Sequence, residues 1–417
     1  MSAGLLIVAD DLSGAADCAA GFARRLSTRV LLDGSAARLF EVTALDLDTR
    51  RLTPREAARA NRAIVESGAC AGLALYKKID STLRGNVAAE VAALGGRGMA
   101  LVAPAFPAMG RTTRGAVQYV DGVPVDRSDV WSNEHLTGSA HLVTLLEAQG
   151  LRCAHLDLEQ VRASGTLEER LRQHLLDGVH AVIGDAETDA DLQALAQASA
   201  PLRERLYWVG SAGLAQHLPA ALGYPAERAL EANPQGPILT VVGSMSRHSQ
   251  GQAEYLLSRS GQAHERLDPR LLLAADRQAD REVLAERLRA RLASGADLLV
   301  SLAQEHRDPA QATLLSASLA RLLQGALGEA GSLIATGGET ARAVLSAAGI
   351  DALRVHGELL PGVVLSSAAY RGRHLTVVTK AGGFGQPDTL QRAWSALQDA
   401  AATRSDTPFT LEEPQHV

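Results

Sequence analysis

The chain is poor in the residues that announce many kinds of partner. Aromatic side chains make up 3% of its 417 residues, too few for a platform on which nucleic-acid bases stack. Its three cysteines, Cys18, Cys70 and Cys153, lie far apart and form no C-x-x-C unit. That excludes a disulfide framework and a cysteine-built zinc site, and it fits a reducing cytoplasm. A formal net charge of -6 offers no general surface for polyanions, so any basic pocket must be local. No apolar run is long enough to span a membrane: the opening Leu5 to Ala9 run has no basic leader and stops at Asp10 and Asp11. The P-loop, the G-x-G-x-x-G dinucleotide fingerprint and the H-E-x-x-H metal motif are all missing. His306-Arg307-Asp308 imitates a kinase catalytic loop, but the Asn and the glycine-rich loop that should accompany it are absent.

What is present is 46% hydrophobic residues and 38 glycines in a chain too long for one ordinary domain. Short aliphatic runs alternate with amphipathic segments, which predicts an α/β class. Strands are expected at Leu5 to Ala9, Val42 to Leu47, Leu73 to Ile79 and Met99 to Ala103. Further strands are expected at Ile238 to Val242, Leu298 to Leu302, Ser332 to Ala335 and Leu375 to Val378. Thr53, Pro54 and Glu56 form a helix-start signal with a capping box. The turn-rich stretch from Gly223 to Pro237 reads as a linker, giving domains over 1–225 and 236–417. The acidic tail after Arg404 reads as peripheral.

Three N-terminal segments could carry chemistry. Strand Leu5 to Ala9 delivers Asp10 and Asp11 onto a turn, where ligands collect in α/β sheets. One carboxylate can accept a hydroxyl proton and the other orient a hydroxyl or cation; the competing reading is that Asp11 or Ser13 simply caps the next helix. Lys77 to Asn86 ends a strand with two lysines and a dense polar turn, gathering Lys77, Lys78 and Arg84 at one expected anion site. There Arg84 can fork onto a carboxylate while Ser81 and Thr82 supply short donors, against the alternative of a solvated helix cap. Pro104 to Gly115 is a proline-stiffened loop displaying Arg111 and Arg114, which reads equally as a plain connection. Of Arg50 and Arg51, one is expected to face the pocket. In the second half, Gly243-Ser244, Gly337-Gly338-Glu339-Thr340 and Lys380 to Gly385 each follow a strand. Such turns let backbone amides approach phosphate oxygens, and three of them point to a nucleotide.

These motifs together resemble the four-carbon acid sugar kinase family, with Gly210-Ser211-Ala212-Gly213-Leu214 as a further carrier and matches over nearly the whole chain. The resemblance implies two α/β domains with an interdomain active-site cleft, the first holding a sugar acid and the second ATP. It implies acid contacts from Asp10, Asp11, Arg50, Lys78, Asp80, Ser81, Thr82, Leu83 and Arg84. It implies ATP contacts from Ser244, Gly337, Gly338, Glu339, Thr340, Lys380, Gly382 and Gly383. The expected activity is ATP-dependent phosphorylation of a terminal hydroxyl of threonate, erythronate or an oxo-tetronate. Asp11 is the expected base or hydroxyl-orienting group with Asp10 second, Arg84 the carboxylate clamp, and Lys380 with magnesium the counter-charge to phosphate. No nucleic-acid or membrane partner is expected, and the sequence leaves metal ligands and oligomeric state open. The segment Ser128 to Gly138 departs from the family pattern, which has an Asp-Pro-containing stretch there, and leaves the stereoisomer undecided. A non-catalytic acid sensor or a kinase for another polyhydroxy acid are the rival readings. A nicotinamide-dependent dehydrogenase is disfavoured by the missing fingerprint.

Overall fold

The computed structural model describes residues 4–32, 40–68, 71–133, 136, 138–163, 165–230, 234–244, 246–303 and 311–403. The His306-Arg307-Asp308 triplet, Cys70, Met245, linker residues 231–233, Glu134, His135, Thr137 and the tail beyond residue 403 lie outside them. The chain divides into two compact units, Met1–Leu230 with Gly349–Glu358, and Glu231–Ala348 with Leu359–Val417.

The first unit contains β1 (Leu5–Ala9), β2 (Thr28–Leu31), β3 (Val42–Asp46), β4 (Ala74–Lys78) and β5 (Met99–Ala103). After them come β6 (Arg111–Arg114), β7 (Val117–Val120), β8 (Val123–Pro124), β9 (Cys153–Leu156), β10 (Ala181–Gly184) and β11 (Leu206–Gly210). All but β6–β8 pair in parallel in the order β2-β3-β1-β4-β11-β5-β10-β9. Strands β1, β3, β4, β5 and β11 are buried at every residue. Their unbroken aliphatic runs are what a parallel sheet covered on both faces requires. The predicted capping box exists: Thr53 Oγ1 accepts from the Glu56 amide, and the Glu56 carboxylate accepts from the Thr53 amide at 3.0 Å, starting helix Pro54–Glu66. From β1 the chain builds β2 and β3 to one side and then β4 to the other. The carboxyl ends of β3, β1 and β4 therefore flank a topological switch point, where open α/β sheets hold ligands.

The second unit contains β12 (Ile238–Val242), β13 (Ala263–Leu267), β14 (Leu298–Leu302), β15 (Ser332–Thr336), β17 (Val363–Tyr370) and β18 (Arg373–Lys380); β16 (Ala352–Leu360) enters it only at its end. The sheet order is β13-β14-β12-β15-β18-β17, parallel except that β17 runs antiparallel to β18. Again the order reverses around one strand, β12, with β14 and β15 on opposite sides. The first residues of β16 belong to the other unit, where Ala352, Leu353 and Arg354 pair antiparallel with Leu31, Val30 and Arg29 of β2. Among the described residues, no helix is long and apolar enough to cross a membrane.

Candidate active site

At the first switch point the ends of β1, β3 and β4 bring acids and bases together. Arg50 is the centre. Its Nε and Nη2 donate to Asp10 at 2.7 and 3.1 Å, and its Nη1 and Nη2 donate to Asp11 at 3.1 and 2.8 Å. Asp80 lies 3.6 Å from the same guanidinium and accepts Arg84 at 2.6 Å. Arg51 is exposed, and it is Arg50 that reaches the carboxylates. Burial alone would raise the Asp10 pKa, but Arg50 and Lys78 outweigh it and hold this carboxyl below the usual carboxylate range. Burial likewise opposes ionisation of Asp80, and Arg84 with Arg50 drives its pKa well below normal. Lys78 is desolvated too, yet Asp10 and Asp11 raise its pKa. The cluster thus brings together the side chains of Asp10, Asp11 and Asp80 with those of Arg50, Lys78 and Arg84.

The capping reading of Asp11 is observed: its Oδ1 accepts the Gly14 amide at 3.0 Å at the start of helix Leu12–Ala23, and its side chain is 17% exposed beside Arg50. Asp10, at 3%, is enclosed. Gly14 makes room for the arrangement, since a Cβ there would sit 2.5 Å from Lys78 Nζ and 2.6 Å from Asp11 Oδ1. The turn after β4 is self-braced. Asp80 Oδ1 accepts the Thr82 amide at 2.8 Å and the Thr82 hydroxyl, and Leu83 adopts a left-handed φ of 58°. A branched side chain holds that backbone only where its surroundings enforce it.

The enforcement comes from residues that sequence reasoning missed. Buried Gln118 donates to Ser81 O at 2.7 Å while accepting the Thr113 hydroxyl at 2.7 Å. Buried Trp131 donates its indole N–H to Thr82 O at 2.8 Å. Trp131 sits in the segment that departs from the family pattern, which was the available signal; Gln118 gave none. Lys77, assigned to the anion site with Lys78, instead faces the opposite side of β4. It forms a fully buried ion pair with Glu90 at 2.7 Å, and Glu90 also accepts the Thr49 hydroxyl. Of the stiff loop's two arginines, Arg111 is partly buried within electrostatic reach of Asp80 and Arg84, and burial lowers its pKa. Arg114 is largely exposed and 3.7 Å from Glu187. Ser211 of the Gly210 to Leu214 motif caps helix Ala212–Ala221 and donates to Ala105 O at 2.9 Å, a packing role.

In the second unit, the three glycine turns close β12, β15 and β18, neighbours in the sheet, so they converge at the other switch point. The Gly337 amide donates to Lys380 O at 2.8 Å, and a Cβ on Gly382 would lie 2.9 Å from Ser244 Oγ. Helices Arg247–Ser260 and Gly338–Ala347 begin here. Their N-termini favour anions. Thr340 is buried, and Glu339 accepts the Thr313 hydroxyl at 2.8 Å. Lys380 lies behind the third turn. It is 1% exposed, its ammonium donates to Ala381 O and Phe384 O at 2.8 Å each, and burial lowers its pKa to about 7. Its ammonium thus braces its own loop from inside. Among the described residues no cluster of three or more His, Cys, Asp or Glu side chains could hold a metal ion.

Comparison with known proteins assigns these two clusters to two domains. Residues 5–218 match the sugar-binding N-terminal domain family, and residues 239–390 match the nucleotide-binding C-terminal domain family. A D-threonate kinase of Cupriavidus necator is 46% identical over 95% of this chain and 99% of its own. The chain belongs to the four-carbon acid sugar kinase family. A D-threonate kinase of Bordetella bronchiseptica is 35% identical over 95% of this acid sugar kinase and 98% of its own length. A 3-oxo-tetronate kinase of Methylobacterium radiotolerans is 29% identical over 94% and 99%. A solved structure from Salmonella typhimurium LT2 shares the fold at a TM-score of 0.79 and 21% identity, over 94% of this kinase and 98% of that chain.

Proposed function

We propose that this four-carbon acid sugar kinase transfers the γ-phosphoryl group of ATP to the terminal hydroxyl of D-threonate, in the cytoplasm. The 46% identity to a D-threonate kinase over nearly the full chain supports the acid. The observation that carries the site assignment is the division of chemistry. An Arg-Lys-Asp cluster stands at one switch point and a convergence of glycine and serine turns at the other. Residues 1–225 hold the acid and residues 236–417 the nucleotide.

Arg84, 30% exposed, receives the acid's carboxylate, with Ser81 and Thr82 beside it. Arg50 and Asp80 fix that turn against Asp10. Asp10, kept ionised by Arg50, is a poor proton acceptor; the more exposed Asp11 orients the terminal hydroxyl. Phosphoryl transfer needs positioning and charge neutralisation more than covalent help, so a strong base is not required. The phosphates lie against Ser244, Gly337 to Thr340, Gly382 and Gly383. Magnesium enters with ATP: it is commonly held by substrate phosphates and water with one or two carboxylates, and the described residues offer no all-protein cage.

The test is ADP release from the purified protein with D-threonate, D-erythronate, L-threonate, 3-oxo-tetronate and C5 acids. D-threonate should give the highest kcat/KM. A higher value for another acid overturns the substrate, and acid binding without turnover on any of them makes the protein a sensor.

A further inference from the structure

The loop after β18 keeps its carbonyls turned toward the protein. Ala381 O and Phe384 O accept the Lys380 ammonium. Gly382 O accepts the Ser249 hydroxyl at 2.6 Å, and Gly385 O lies 2.7 Å from His248 Nε2. The Gln252 amide donates to Phe384 O at 3.1 Å and Gln386 O at 2.8 Å. Ser249 and Gln252 are fully buried, so these bonds form away from solvent.

A trans peptide directs its N–H opposite to its C=O, and no described peptide is cis. Holding the carbonyls of 381, 382, 384 and 385 inward therefore turns outward the amides of Gly382, Gly383, Gly385 and Gln386. Three of these four residues are glycine and carry no side chain of their own, and around Gly383 the space is open. A run of outward amides is an anion-binding concavity.

We propose that Ser249 and Gln252 are positioning residues for the nucleotide. They never touch it, but by gripping carbonyls from behind they aim the loop's amides at phosphate oxygens. Lys380 acts from the same side, its charge reaching the phosphates through the loop. This rests on reading the glycine turns as the nucleotide site.

The experiment is calorimetric titration of the full-length protein with ADP, together with hydrogen exchange over residues 381–386. Ser249→Ala should weaken ADP binding about tenfold, the scale of one lost hydrogen bond. Gln252→Glu, which sets a carboxylate against two carbonyl oxygens, should weaken it further. Ser249→Thr, which keeps the hydroxyl, should restore ADP affinity, and D-threonate affinity should stay unchanged in all three. Faster exchange of the loop amides in unliganded Ser249→Ala would mark the positioning role. ADP affinity within about twofold of wild type in folded Ser249→Ala and Gln252→Glu overturns the proposal, a smaller loss than one hydrogen bond can explain. Wild-type protein that binds ADP without protecting residues 381–386 overturns the nucleotide placement instead, so the two failures are distinguishable.

Discussion

Glu90→Gln tests whether the acid site stands on a buried ion pair. Lys77 and Glu90 are 0% and 1% exposed and 2.7 Å apart, and Glu90 also receives the Thr49 hydroxyl. The Thr49 and Arg50 amides in turn donate to Asp10 O at 3.1 and 3.3 Å, so the pair anchors the loop that carries Arg50. Neutralising Glu90 leaves a buried ammonium without its counter-charge, which costs about 3–5 kcal/mol. For a folding unit of about 150–250 residues, 1 kcal/mol moves Tm by about 2–4 °C, so the first unit should melt at least about 6 °C lower. The paired replacement Lys77→Met with Glu90→Leu should recover most of that loss, because two apolar groups need no compensation. Calorimetric melting resolves the shift, and steady-state kinetics should show the KM for the acid rising in the single variant while the KM for ATP holds. A single variant melting within about 2 °C of wild type would refute the reasoning, since that is under 1 kcal/mol on this scale.

Arg84→Ala should raise the KM for the acid at least about tenfold, the scale of a lost charge-assisted contact, with the KM for ATP within about twofold; equal effects on both would remove the clamp role. Asp11→Asn should lower kcat about a hundredfold, the scale of a misoriented reacting group, while calorimetry still detects ADP; near-normal turnover would move that role elsewhere. Trp131→Phe keeps an aromatic side chain and deletes the donor to Thr82 O, so acid KM should rise several-fold, about 3–10, with the KM for ATP unchanged; unaltered acid KM would show that the turn holds itself. Lys380 has a folded pKa of about 7, below its ordinary value. Above that pH the unfolded chain binds the extra proton, so its burial penalty is fully present below pH 7 and fades as pH rises toward 10. Denaturant titrations should show wild type gaining stability over that range relative to Lys380→Met, and parallel pH curves would contradict the assignment.

The sequence made the strands with unbroken aliphatic runs readable, because burial on both faces leaves no alternation to misread: β1, β5, β12 and β14 begin and end where the runs do. Strands β16 and β17 escaped because their mixed pattern, with residues such as Arg354 and His356, carries no such signal. At the site, the neighbours in sequence from Asp80 to Arg84 were legible, as was the Asp10-Asp11 pair. The choice of Arg50 over Arg51 was not, since adjacent residues differ only in which way the backbone turns. Lys77 was misplaced for the same reason: neighbours on a strand point to opposite faces. Gln118 and Trp131 reach the turn across 37 and 49 positions of sequence, a closeness that only the folded chain supplies.

The pairing of Ala352 to Arg354 with β2 bears on biosynthesis. The edge of the first sheet is completed by residues translated after most of the second unit. A ribosome making this chain therefore releases the first unit with an open sheet edge for well over a hundred residues of synthesis, an exposed template for wrong strand pairing. The two halves of this kinase are consequently separable as chemistries and inseparable as folding events, and expressing the first 230 residues alone should yield a protein that seeks another strand.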